Sequence, residues 1–272
     1  MSQDTAHPFR TIEVSDPTLA PEGLVFVTVK SAALGQRADL TLFVPRQAGG
    51  LGGVPIVILL HGVYGSHWAW AFKGGAHRTA QRLIDAGDIP PLVLAMPSDG
   101  LWGDGSGYVR HAAQDFERWI VDEVPAAASA ALGVCDRHSP LAIAGLSMGG
   151  FAALRLVGRH PGRFVAASGL SSVTEVEQLD ALIEERRDGW AGEAFDRRVL
   201  DALQQAGAPL PALRLLCGTE DRLLDANRAL HGGLQAAGIA HQYAEIPGGH
   251  DWAFWSRHLE DTLRFLAREI AR

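Results

Sequence analysis

The chain has 272 residues, 47% of them hydrophobic, which is enough for one well-filled core and predicts a single domain, 1–272. A net charge of −7 offers no basic stripe to nucleic acid or an anionic membrane, so a small-molecule partner is expected; homo-oligomerisation is left open. No window approaches the roughly 18 apolar residues of a membrane span, and the start "MSQDTAHPFRTIEVSDP" has no basic segment followed by an apolar one, which predicts a cytoplasmic protein.

After this polar lead, "LVFVTVK" and "ADLTLFVP" are β-branched runs separated by "SAALGQR", the pattern of an antiparallel hairpin at a sheet edge. Then the pattern changes. "VPIVILLHG", "PPLVLAMP", "PLAIAGLS", "RFVAASGLS", "ALRLLCG" and "AHQYAEIPGG" are short, mostly apolar and non-alternating, as in strands buried on both faces. Between them, apolar residues at three- and four-residue spacing predict helices over His77–Ala86, His111–Glu123, Gly150–Arg159, Leu223–Ala237 and Trp252–Ala271. The alternation predicts an α/β fold with a mostly parallel sheet and helices on both faces. Residues 173–210 are longer and more polar and read as a helical excursion within the domain. Cys135 and Cys217 are too few for a disulfide framework and read as packed or surface thiols.

"GLSMGG" places Ser147 where a buried strand turns into a helix. Gly145 and Gly149 complete G-x-S-x-G, in which small neighbours allow a sharp turn that presents the serine hydroxyl at a helix N-terminus. A serine hydroxyl is a weak nucleophile, so it needs a histidine to take its proton and a carboxylate to orient that histidine. The order expected on this fold is serine, acid, histidine. After "ALRLLCG" come Glu220, Asp221 and Asp225; Asp221 lies three residues past the strand-ending glycine, with Glu220 as fallback and Asp225 expected inside the next helix. Of the 11 histidines only His250, in "IPGGHDWAFW", fits both order and position after the last strand.

The oxyanion of a tetrahedral intermediate needs donors: the Met148 N–H, next after the serine, and the Val63 N–H in "LLHGVYGS" are the candidates, with His61 read as structural. Tyr64, Trp68 and Trp102 are candidate substrate-binding residues, balanced against simple loop packing. "DGLWGDGSG" offers Asp99, Asp104 and Ser106 to a calcium ion but lacks the ligand alternation of an EF-hand and reads as a glycine-rich loop. Cys135 with His138 has no second pair for zinc, and no P-loop or dinucleotide fingerprint follows the early strands. No cofactor or metal is expected.

The motifs "LLHGVYGS", "GLSMGG", "CGTEDRLLDANRAL" and "PGGHDWAFW" together resemble the esterase D branch of the α/β-hydrolases, whose members include S-formylglutathione hydrolases, feruloyl and acetyl-xylan esterases and mycolyltransferases. The resemblance runs from about residue 24 nearly to the end. It implies the α/β-hydrolase fold, with Ser147 as nucleophile, Asp221 as acid, His250 as base and Val63 and Met148 as oxyanion-hole amides. The segments by which S-formylglutathione hydrolases are usually recognised have no clear counterpart, and mycolyltransferases resemble exported proteins. The expected function is therefore a serine carboxylesterase for small or medium acyl esters. An acyltransferase or a thioesterase of S-formylglutathione hydrolase type is the alternative; a non-catalytic binding module is disfavoured because every triad position holds a competent residue.

Overall fold

A computed structural model describes residues 8–192, 194–207 and 209–272; part of the polar lead, residues 1–7, lies outside the described residues. Nine strands form one sheet: β1 (Ile12–Val14), β2 (Leu24–Lys30), β3 (Arg37–Phe43), β4 (Ile56–Leu60), β5 (Val93–Pro97), β6 (Leu141–Leu146), β7 (Ala166–Leu170), β8 (Ala212–Gly218) and β9 (Gln242–Ile246). Their spatial order is β1-β2-β3-β5-β4-β6-β7-β8-β9. The expected hairpin is β2–β3, paired antiparallel from Leu24 opposite Phe43 to Lys30 opposite Arg37, and β3 joins β5 antiparallel. From β5 to β9 every pairing is parallel.

The runs of β4 to β8 are strands because both of their faces are covered; β9, expected to be buried as well, is the open edge of the sheet and has no buried residue. Along β4, Ile56, Ile58 and Leu60 enter one apolar cluster, and Val57 and Leu59 enter the other, on the opposite face. This is the period-two alternation of a pleated strand between two helical layers. One layer holds α1 (Ala69–Phe72), α2 (Ala76–Asp85) and α8 (Trp252–Ile270), which contribute Trp70, Leu83 and Leu259. The other holds α3 (Phe116–Arg118), α4 (Val124–Ala131), α5 (Met148–Arg159), α6 (Val199–Gln204) and α7 (Leu224–Ala236), which contribute Phe116, Phe151, Leu203 and Leu230.

Two further expectations are corrected. The helix expected over His111–Glu123 begins only at Phe116, after Asp115, whose carboxylate accepts the Arg118 N–H at 2.9 Å; it passes through a π-helical turn, Trp119–Glu123, into α4 and ends at Ala131. His111 is held out of it by a bridge to Trp190. Among its described residues the excursion contains one α-helix, α6, and three short 3₁₀ turns, Val176–Ala181, Arg187–Gly189 and Ala194–Arg197, so what is described is mostly turns. Among the described residues no helix is long and apolar enough to cross a membrane.

Candidate active site

At the carboxyl end of β6 the chain turns at Ser147 (φ 54°, ψ −118°) directly into α5. A non-glycine residue in that conformation costs on the order of 1–3 kcal/mol and persists only where its surroundings hold it. Here the Ser147 N–H donates to the Leu170 carbonyl at 3.0 Å, and its carbonyl accepts the N–H of Val173 at 3.1 Å. The flanking glycines are required by space. A Cβ on Gly145 would sit 2.2 Å from the Gly149 carbonyl oxygen, and one on Gly149 would sit 2.5 Å from that of Leu60.

The turn that carries Asp221 follows β8. Asp221 is buried and donates its N–H to the Gly218 carbonyl at 3.2 Å, while its carboxylate accepts the Leu223 N–H at 2.8 Å. Burial alone would raise this carboxyl; the hydrogen bonds from His250 and the Leu223 N–H outweigh it and hold the group below the ordinary aspartate value. The alternatives lie elsewhere. Glu220 is exposed and uses its N–H on the Gly248 carbonyl, and Asp225 is 97% exposed at its side chain beside Arg228.

His250 closes the arrangement from the loop after β9. Its Nδ1 lies 2.9 Å from Asp221 Oδ2, and its Nε2 lies 3.1 Å from Ser147 Oγ. Because an ionised carboxylate only accepts, Nδ1 carries the proton, and Nε2 is left with a lone pair facing the serine hydroxyl. Trp255 stands edge-on to the ring, with centroids 5.0 Å apart. Asp251 next to it caps α8 by accepting the Phe254 N–H at 2.9 Å.

The turn after β4 lies against the serine: a Cβ on Gly62 would be 3.2 Å from Ser147 Cβ. His61 is buried, as a structural residue would be. Its Nδ1–H donates to the Gly62 carbonyl at 2.7 Å, and Nε2 accepts the Asp99 N–H at 3.1 Å. Val63 follows. Met148 is the first residue of α5, where no helical carbonyl lies four residues back to take its N–H. The two N–H groups stand on segments that flank Ser147, an arrangement able to bind an oxyanion.

The three aromatic residues expected at a substrate pocket each meet a different neighbour. Trp102 stands edge-on to His111 and Trp190, at 4.6 and 6.1 Å between centroids. Tyr64 is exposed and donates its hydroxyl to the Leu182 carbonyl. Trp68 lies beneath the Lys73 ammonium, 5.8 Å from its ring centroid. In the glycine-rich loop, the Asp99 carboxylate is taken by the N–H groups of Leu101 and Ser106 at 3.0 and 2.7 Å. Among the described residues no cluster of three or more His, Cys, Asp or Glu side chains is disposed to hold a metal. Cys135 and Cys217 are buried and unpaired, and burial pushes both thiols up to about 12. A cavity of about 590 Å³, lined in part by Pro125, Ser129, His138 and Arg163, opens beside Leu141 at the start of β6, the end opposite Ser147.

Sequence reasoning missed a buried charge cluster behind α5. Arg155, on α5 and 1% exposed, donates to Glu117 at 2.6 Å and to the Tyr108 carbonyl at 3.0 Å, and His160 meets the same carboxylate at 2.7 Å. Its sequence signal is Arg155, an arginine in the middle of a mostly apolar helix.

A family model described as "Putative esterase" matches residues 31–266. The chain belongs to this Esterase family. An acetyl esterase from Caldicellulosiruptor saccharolyticus is 24% identical to this Esterase-family chain over 229 residues, 77% of this chain and 82% of that protein. A ferulic acid esterase structure superposes with a TM-score of 0.72 at 24% identity, over 90% of this chain and 98% of that one. An S-formylglutathione hydrolase from Agrobacterium tumefaciens superposes with a TM-score of 0.74 at 19% identity, over 96% and 99%. The fold is that of the α/β-hydrolases, and membership of the Esterase family makes this chain an esterase, acting on carboxylic esters.

Proposed function

We propose that this Esterase-family chain hydrolyses small or medium acyl esters through an acyl-enzyme on Ser147, with His250 as general base and Asp221 as its orienting acid. The observation that carries the reading is the continuous line Ser147 Oγ, His250 Nε2, His250 Nδ1, Asp221 Oδ2, spaced at 3.1 and 2.9 Å across its two hydrogen bonds. The Ser147 oxygen attacks the ester carbonyl while its proton passes to His250 Nε2. The resulting oxyanion is met by the N–H groups of Val63 and Met148. Collapse of the intermediate breaks the acyl–oxygen bond, and the leaving alkoxide takes the proton from His250. Water then repeats the sequence on the acyl-serine, returning the carboxylic acid and free Ser147.

Each step uses only protein groups. An S-formylglutathione hydrolase among the structural neighbours supports a thioester variant, since a thiolate leaves the same intermediate, and an alcohol in place of water would make the reaction an acyl transfer. Two buried, unpaired thiols fit a reducing compartment and support a cytoplasmic location. The test is a fluorophosphonate, from which the serine oxygen displaces fluoride at phosphorus. One adduct on the peptide carrying Ser147, absent in Ser147→Ala, is expected; an adduct at Ser171 or Ser172 overturns the assignment.

A further inference from the structure

Three segments distant in sequence meet beside the proposed oxyanion site. Tyr64 has φ +62°, a left-handed conformation rare for a residue with a side chain, and it is 68% exposed, so burial does not hold it there. Hydrogen bonds do. Its N–H donates to the Asp104 carbonyl at 2.8 Å, and its hydroxyl donates to the Leu182 carbonyl. Asp104 donates its own N–H to Glu185 Oε2 at 3.0 Å and accepts the Glu184 N–H on Oδ2 at 3.0 Å.

Two glycines set the spacing of this joint. A Cβ on Gly103 would fall 2.1 Å from Glu185 Cδ, and one on Gly105 would fall 2.7 Å from Met148 Sδ and 3.1 Å from Val63 Cγ1. The glycine-rich loop is thus gripped on one side by residues 182–185 and rests on the other against both residues proposed to donate to the oxyanion.

We infer that Tyr64, Asp104 and Glu185 are positioning residues: the segment 182–185 braces the turn after β4, through Asp104 and the Tyr64 hydroxyl, and so fixes the direction of the Val63 N–H. The inference rests on the proposed ester hydrolysis and its oxyanion site. An oxyanion donor acts only once charge has developed, so a loosened brace lowers kcat and leaves substrate binding alone.

The experiment is steady-state hydrolysis of a short-chain aryl ester by Tyr64→Phe, Asp104→Ala and Glu185→Ala, beside Asp104→Asn and Glu185→Gln. The first three are expected to lose about tenfold in kcat with KM within about twofold of wild type. The amide variants keep a side-chain oxygen that accepts the same backbone N–H, so they retain most of the rate. All five still take one fluorophosphonate adduct at Ser147. Unchanged kcat in Tyr64→Phe and both alanine variants overturns the inference, as does a rise in KM alone, which would make these residues substrate contacts. Should Asp104→Ala fail to fold, Tyr64→Phe and Glu185→Ala carry the same decision. A wild-type protein that neither turns over esters nor takes the adduct overturns the ester-hydrolase reading itself, a result distinct from selective failure of the variants.

Discussion

Gly218 and Gly248 face each other so closely that a Cβ on Gly218 would lie 2.1 Å from the Gly248 carbonyl oxygen. The first glycine ends β8 before Asp221, and the second precedes His250, so this approach lies between the segments that carry the proposed acid and base. Gly218→Ala forces backbone from backbone, and a displacement near 1 Å at a reacting group costs on the order of 100-fold in rate. The expected outcome is a kcat loss of about that size together with a stability loss of about 1–3 kcal/mol in urea unfolding. A variant with wild-type kcat would break the link between this contact and the site.

Removing the serine hydroxyl should abolish chemistry and spare the fold. Ser147→Ala is expected to lower kcat by on the order of 10³-fold or more with little change in Tm. His250→Ala and Asp221→Asn should be similarly damaging, and adding either to Ser147→Ala should cost little more, because residues acting as one unit are strongly non-additive. Glu220→Gln and Asp225→Asn should leave kcat unchanged, since neither side chain faces His250. Full activity in Asp221→Asn would move the acid's role elsewhere.

The buried Glu117 carboxylate predicts acid sensitivity. Burial would raise its pKa, but Arg155, the His160 hydrogen bond and Arg159 outweigh burial and hold it well below the ordinary glutamate value. The folded pKa is therefore depressed, so the stabilisation is present above the unfolded value of about 4.3 and is lost as pH falls below it. Glu117→Gln should flatten the fall in urea midpoint below about pH 4. Arg155→Met leaves the carboxylate without its closest buried partner and should cost about 3–5 kcal/mol at neutral pH.

His111 predicts a second pH response, displaced toward neutrality. Burial lowers its pKa to about 4, against smaller upward pulls from the Ser106 carbonyl and Asp99. The unfolded imidazole titrates near 6.5, so between those values the unfolded chain binds the extra proton and stability falls as pH drops. The full loss approaches about 3 kcal/mol by pH 4. In His111→Phe the thermal midpoint should depend less on pH between about 6.5 and 4. An unchanged slope would place that sensitivity on other groups.

The buried parallel strands β4 to β8, the edge strand β9 and the hairpin were legible because their runs are short, mostly apolar and bounded by glycine or proline. The meeting of Ser147, Asp221 and His250 was legible because their order along the chain follows the ends of successive strands. β1 was not: Ile12–Val14 is three residues with one side chain half-buried, too short to carry a period. The late start of the helix at Phe116 was hidden because the aromatic packing of His111 against Trp190 comes from residues some 80 positions away. Its continuation past Pro125 was hidden as well, since proline reads as a stop unless a helical turn has already freed the position from donating. The role of the "GDGSG" glycines was invisible for the same reason, as their partners Glu185 and Met148 are distant in sequence.

The position of His250 has a consequence for how the protein comes into being. Ser147 precedes it by 103 residues, and Asp221 precedes it by 29. On a ribosome, the serine turn, with β4 and β7 on either side of β6, can form while His250, the proposed base, is still untranslated. On the proposed mechanism reactivity therefore arrives late, when β9 has joined the open edge beside β8 and α8 has docked against α2, β6 and β7. A nascent chain halted before that point carries an assembled but inert serine, so a fluorophosphonate would separate finished molecules from unfinished ones during synthesis.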